Sequence, residues 1–413
     1  MLAMPAVAAG QPVEAILDLA RKERPALLDT LKELTAIESG SREIEELDKI
    51  TNLLAAKLKA LGGKVELIEP VEADTVRLSD TPEKLGKMVR ATFTGKGTRK
   101  ILLIAHMDTV YPRGMLAQQP FRIDGDQAYG LGIADQRGGL ATILHTLAIL
   151  RALKFRDYGT LTVFFNGDEE IGSPASRNHH TRLGAEHDVV LSFEGAGAND
   201  QLRLATSGQA AAILTVRGRA SHAGSAPEKG VNALDEMAHQ IMQTRNLSDP
   251  ATGVKVNWTL ARAGIVSNMI PPGAQASADV RVARLADYDG IEQKLRERVK
   301  NKLLPDSQVE LVFERRWPPL EPTPASRALS AHAQTIYAEL GRKLTVTEVS
   351  PGGATDAAFA SLKARGPVVE GFALQGFGAH STNAEYILVS SIEPRLYLAT
   401  RMIMDISTGK ARW

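Results

Sequence analysis

The chain has no cysteine. Disulfides, thiolate zinc sites and cysteine nucleophiles are therefore excluded, and any metal must be held by His, Asp and Glu. An excess of one charge is also missing: 49 Lys and Arg stand against 48 Asp and Glu, a formal net charge of +1. No dense basic stripe with interleaved aromatics occurs. This balance argues against nucleic acid and against an anionic membrane as partners. No apolar run approaches the roughly 20 residues that a spanning helix needs, and no internal repeat or low-complexity segment appears.

What is present is an ordinary soluble composition, 44% hydrophobic over 413 residues. That length exceeds what one core usually organises and predicts two domains. Met1 to Gly10 is small and apolar, like the tail of a secretory signal ending in an Ala-x-Ala-like site, with the basic n-region missing. The expectation is a periplasmic or secreted protein, with a cytoplasmic one as the alternative.

The stretch Lys100 to Asp108 organises the rest. Ile101 to Ala105 is an unbroken apolar run, the pattern of a strand buried on both faces at the centre of a parallel sheet. It ends on His106-x-Asp108, and in open α/β sheets chemistry sits beyond the carboxyl ends of strands. Helical periodicity over 13–21 and 26–37 is separated by Pro25, read as a break or first-turn residue. A second amphipathic stretch, 42–61, stops at Gly62-Gly63. Thr160 to Asn166 and Val189 to Phe193 are further buried strands, with a long apolar helix over 137–153 between the central strand and them. The expected fold is α/β, a mixed open sheet flanked by helices.

After Gly208 the order becomes β-α-β-β-α-β, the ferredoxin-like unit. It is read as an inserted α+β domain over residues 207–317, interrupting a catalytic domain of 1–206 and 318–413. The Pro-rich piece Pro318 to Pro324 is the return linker.

Side chains able to bind metal cluster at the predicted strand ends. They are His106 and Asp108, Asp135 before the helix at Gly138, Asp168-Glu169-Glu170, Glu194, and His380 in a Gly-rich loop. Each alone is a weak signal. Together they gather several carboxylates on one sheet edge, a self-repelling arrangement that divalent cations would compensate. Two His and three carboxylates, one of them bridging, suit two zinc ions about 3.5–4 Å apart.

Six motifs in order carry a resemblance over nearly the whole chain: Ala105–Tyr111, Gly132–Gly139, Asp168–Ser173, Ser192–Glu194, Ala220–Gly224 and Gly376–Ser381. The sequence resembles the M20 family of co-catalytic zinc peptidases and aminoacylases and, within it, the glutamate carboxypeptidases that cleave folates. The resemblance implies two Zn2+ per subunit. One would be held by His106, Asp135 and Glu194, and the other by Glu170, His380 and the same Asp135. Asp108 would orient His106. Glu169 would be the general base, taking a proton from a metal-bridging water and returning it to the leaving amine. Asn268 and Arg281 would bind the substrate carboxylate. His222 would reach the partner subunit's site to polarise the scissile carbonyl, which implies a homodimer formed through the inserted domain.

The chain departs from the family pattern in two places. Gln136-Arg137 follows the bridging aspartate where relatives often carry Asp-Lys or Met-Lys. Gln201 stands where several folate-cleaving relatives have a basic residue; Arg203, on the same strand face, is the candidate substitute. The expected substrate is a small N-acyl amino acid, folate-like with glutamate leaving. The alternatives are an aminoacylase-type amidohydrolase or dipeptidase with the same metals, and a metal-binding scaffold without turnover.

Overall fold

A computed structural model describes residues 10–350, 352–381 and 384–413. The signal-like residues Met1 to Ala9 lie outside the described residues. The chain divides into two compact units, one of Ala205–Glu321 with Ser350–Ala354 and one of the remainder. Each has its own hydrophobic core.

The larger unit is built on an eight-stranded sheet. Its middle strand is Lys100–His106, every residue of which after Lys100 is buried. This strand pairs in parallel with Thr160–Asn166 on one side and Val189–Ser192 on the other. Val368–Glu370 continues the parallel run beyond Val189–Ser192, whereas Met88–Thr94 and Lys64–Ile68 extend the other side antiparallel. The β-branched and aromatic content of Thr160–Asn166 suits a strand packed on both faces. Four adjacent parallel strands thus end side by side, and the segments that follow them start at one edge.

Two expectations are corrected here. Pro25 does not break the first helix, which runs unbroken over Glu14–Thr35. Pro25 is exposed, so the carbonyl that loses its intrahelical partner can bond water. The buried stripe of Ile16, Ala20, Leu27, Leu31 and Leu34 continues across it, and that packing outweighs a proline penalty of about 3 kcal/mol. Pro324 is not linker either. It opens the helix Pro324–Ala338, whose N-cap Thr323 exchanges a capping box with Ser326, and proline is favoured at a first helical position because no intrahelical partner is needed there. Arg122–Asp124, Gln127–Tyr129, Tyr386–Leu388 and Gly376–Phe377 form a further small antiparallel sheet, invisible in the sequence because strands of two or three residues carry no periodicity to read.

The second unit is a four-stranded antiparallel sheet in the order Lys255–Ala263, Gly273–Val282, Gly208–Arg217, Gln308–Trp317. Helices Ala233–Thr244 and Asp287–Arg298 cross between strands. This is the ferredoxin-like order. Compared with the predicted span 207–317, the unit is longer at both ends and includes a distant loop. The Ser207 amide donates to the Gly353 carbonyl at 2.7 Å, and the Ser207 and Ser350 hydroxyls lie 2.9 Å apart. Sequence separation hid those contacts. Lys255–Ala263 is an edge strand and is mostly exposed, with Leu260 at 66%.

Candidate metal centre

His106 is the last residue of the central strand. Glu169 and Glu170 follow Thr160–Asn166, and Glu194 follows Val189–Ser192. Asp135 lies in the irregular turn Ile133–Arg137, immediately before the helix Gly138–Ala152. His380 lies in the loop after Gly376–Phe377.

These residues form two groups that share one member. His106, Asp135 and Glu194 bring ligand atoms within 4.8 Å of one another, and so do Asp135, Glu170 and His380. Asp135 divides its oxygens between them. Oδ1 is 3.0 Å from His106 Nε2, and Oδ2 is 3.1 Å from His380 Nε2. Glu194 Oε1 lies 3.6 Å from His106 Nε2, and Glu170 Oε2 lies 3.3 Å from His380 Nε2. Glu170 Oε1 is buried without a hydrogen-bond partner. An orphaned carboxylate oxygen aside two imidazoles and other carboxylates fits a hard-to-borderline divalent cation such as zinc.

Asp108 is fully buried, and its carboxylate holds four groups at once. Oδ1 lies 3.3 Å from His106 Nδ1, leaving Nε2 to face the site. The same oxygen accepts from the Glu169 amide at 3.1 Å, and Oδ2 accepts from the Glu170 amide at 3.0 Å and from Ser41 Oγ at 2.7 Å. One carboxylate therefore registers the first strand end against the second.

Burial first, and then the neighbouring charges, shift the proton affinities of the acids here. Burial pushes the Glu169 carboxyl well above the usual carboxylate range; His106 opposes this, and the nearby Asp356, Glu170 and Glu194 add to it. Glu170 is raised to about 7, by burial first and Asp135 next. Burial likewise raises Glu194, against the pull of His106. Burial alone would depress the His106 imidazole, but Asp108 and Asp135 hold it well above its ordinary value. His380, bonded to Asp135 and Glu170, is raised to about 10. Burial together with charge partners at one sheet edge is the arrangement by which functional clusters shift proton affinities.

Arg137 is not a ligand-facing charge. It is fully buried, donates to the Met107 carbonyl at 2.6 Å and to Ser39 Oγ, and is lowered to about 10 by burial. It ties the first helix's exit to the end of the central strand. Arg203 lines a cavity of about 190 Å³ together with Asp135, Glu194, Gly376 and Phe377, and its Nε donates to the buried Glu370 at 2.8 Å.

The other expected residues belong to the second unit. His222 Nδ1 accepts from the Gly224 and Ser225 amides, both at 3.1 Å. The proton is thereby assigned to Nε2, which is left as an exposed donor. Asn268 is adjacent, its carbonyl accepting from the Ala223 amide at 2.9 Å. Arg281 is held by Asp279 through Nε at 2.8 Å and a terminal nitrogen at 3.0 Å, and donates to the Gly352 carbonyl at 3.0 Å. An arginine has five N–H donors, so part of its fork remains for a carboxylate.

Residues 102–405 match the model for peptidase family M20/M25/M40. The chain belongs to this family. It is similar to carboxypeptidase G2 of Pseudomonas sp. (strain RS-16), with 44% identity over 95% of this chain and 92% of the relative. It also resembles the acetylornithine deacetylase of Proteus mirabilis (strain HI4320), with 29% identity over 54% of this chain and 56% of the relative. In fold it matches the M20 family metallo-carboxypeptidase Sso-CP2 of Sulfolobus solfataricus, with a TM-score of 0.73, 17% identity, and coverage of 92% of this chain and 99% of that one. As an M20 metallopeptidase the protein is a metal-dependent hydrolase. Among the described residues no helix is long and apolar enough to cross a membrane.

Proposed function

We propose that this M20 metallopeptidase is a dizinc exopeptidase that releases a C-terminal amino acid, glutamate foremost, from N-acyl conjugates of the folate type. The observation that carries the reading is the division of Asp135, one oxygen toward His106 and the other toward His380. His106, Asp135 and Glu194 would hold one ion, and Asp135, Glu170 and His380 the other. A pair of divalent cations bound there would polarise the scissile carbonyl and supply a nucleophilic water at neutral pH.

The chain's own residues do the rest. Asp108 keeps His106 Nε2 aimed into the site. Glu169, buried and of raised proton affinity, accepts the proton of the attacking water and passes it to the leaving amine. Arg281 and Asn268 engage the C-terminal carboxylate, and the His222 Nε2–H donates to the developing oxyanion of the partner subunit's substrate. That role requires a homodimer, and the exposed edge strand Lys255–Ala263 is the natural pairing surface. The likeness to carboxypeptidase G2 over almost the full chain supports a carboxypeptidase, and the motif resemblance to the folate-cleaving glutamate carboxypeptidases supports glutamate as the leaving group.

The second reading, an aminoacylase or deacetylase with the same centre, draws on the acetylornithine deacetylase likeness. A hydrolysis panel decides between them. N-acyl amino acids are varied first in the leaving residue and then in the acyl group, with zinc measured on the same sample. The expected result is preference for C-terminal glutamate with an aromatic acyl group, two zinc per chain, loss of activity on chelation and return on adding zinc. Preference for small acyl groups on a basic amino acid would transfer the assignment to the deacetylase reading, and undiminished turnover after complete zinc removal would overturn both.

Asp135→Ala tests the shared ligand. Because one carboxylate serves both groups, zinc occupancy is expected to fall at two sites together, as measured by metal analysis after dialysis. Loss of a single equivalent would make Asp135 a terminal ligand.

A further inference from the structure

Glu385 belongs to neither ligand group and to none of the six sequence motifs. It is 1% exposed, and four donors converge on its carboxylate. Oε1 accepts from the amides of Ala134 at 2.8 Å and Asp135 at 3.0 Å. Oε2 accepts from the Gly132 amide at 3.2 Å and from the Tyr111 hydroxyl at 2.6 Å. Three of these are consecutive or nearly consecutive backbone groups of the turn that carries Asp135. Charge-assisted bonds of this kind are stronger than neutral ones.

The fourth donor extends the reach of the carboxylate. The Tyr111 hydroxyl also lies 3.0 Å from the Ser381 carbonyl, which accepts from Gln119 Nε2 at 2.9 Å. Ser381 follows His380, whose backbone sits in the left-handed region at φ 61°. A non-glycine residue there needs its surroundings to hold it. Tyr111 itself lies just beyond Asp108, in the loop that leaves the central strand. Glu385 therefore ties together three segments that are remote in sequence, each bearing a residue of the centre.

We infer that Glu385 is a positioning residue for the metal centre, a buried carboxylate that fixes the Asp135 turn and, through Tyr111, the His380 loop. The inference rests on Asp135 and His380 being ligands. A role in packing alone does not account for the geometry. Burying an ionised carboxylate is unfavourable unless every lone pair finds a donor, and here the donors all come from ligand-bearing segments. Glutamine at this position would turn an NH2 group toward backbone N–H groups and lose part of the set.

The test uses the full chain as Glu385→Gln and, separately, Tyr111→Phe. Zinc is removed by chelation and returned by titration against a chromophoric competitor, with turnover followed as free zinc rises. Folding is checked by near-ultraviolet circular dichroism. Glu385→Gln is expected to bind zinc at the Asp135–Glu170–His380 group about 10–100-fold more weakly, the usual effect of losing an outer partner of a ligand. Its turnover should be regained at raised free zinc. Tyr111→Phe should shift the same affinity by less. Folded Glu385→Gln with every zinc affinity within about twofold of the unsubstituted chain would overturn the inference, and so would a loss of turnover that added zinc does not restore. If Glu385→Gln does not fold, Tyr111→Phe decides, and unchanged zinc affinity there overturns the inference. A single zinc equivalent in the unsubstituted chain would instead be a failure of the dizinc reading, and the role of Glu385 would then be measured on whichever zinc Asp135 holds.

Discussion

Glu169→Gln is expected to leave zinc occupancy unchanged and to lower turnover by about 10²–10⁴-fold, the range for loss of a general base. The substitution keeps shape and removes only the capacity to take a proton. The backbone of residue 169 is secured independently of its side chain, because its amide donates to Asp108. The carboxyl sits where burial and surrounding acids raise its proton affinity, and this suits a group that must capture a proton beside positive charge. In the proposed mechanism the same carboxyl returns the proton to the leaving amine, so the loss should fall on kcat more than on KM. Full metal occupancy with a near-normal rate would remove Glu169 from the mechanism.

The second large effect is expected at His222. His222→Ala should reduce turnover by about 10²–10³-fold, the usual consequence of removing one oxyanion donor, with metal content unchanged. The Gly224 and Ser225 amides occupy Nδ1, so the ring has one polar function left, donation from Nε2. The proposed trans role makes a sharper demand. Chains inactivated by His222→Ala, mixed with chains inactivated by Glu169→Gln, should regain activity as subunits exchange. One site of each mixed dimer would then combine an intact Glu169 with the other chain's intact His222. Demonstrated exchange without recovery would confine His222 to its own chain or to a structural role.

Much of the centre was legible in the sequence because strand-end chemistry leaves a local trace. An apolar run that stops on His106-x-Asp108, another that stops before Asp168-Glu169-Glu170, and a third that stops on Glu194 each announce a buried strand and what it delivers. The ferredoxin-like order of the second unit was readable for the same reason: its strands and helices are long enough to show their periods. The break assigned to Pro25 failed because a local rule met a continuous apolar stripe, and the stripe is a property of packing.

What only the tertiary structure decided are the relations between segments far apart in the chain. The sequence places Asp135 before a helix, but nothing local says that its two oxygens face His106 and His380. Nor could Glu385 be singled out, since a lone Glu after a Gly-rich loop has the signature of a solvated surface residue until the turn at Ala134 and Asp135 is seen to donate to it. Arg137, legible as a positive charge near the centre, proved to be spent on the Met107 carbonyl and Ser39. Periodicity and motif record which side chains a segment presents. Which partners those side chains meet depends on non-local strand order and loop closure, and therefore appears only once the chain is folded.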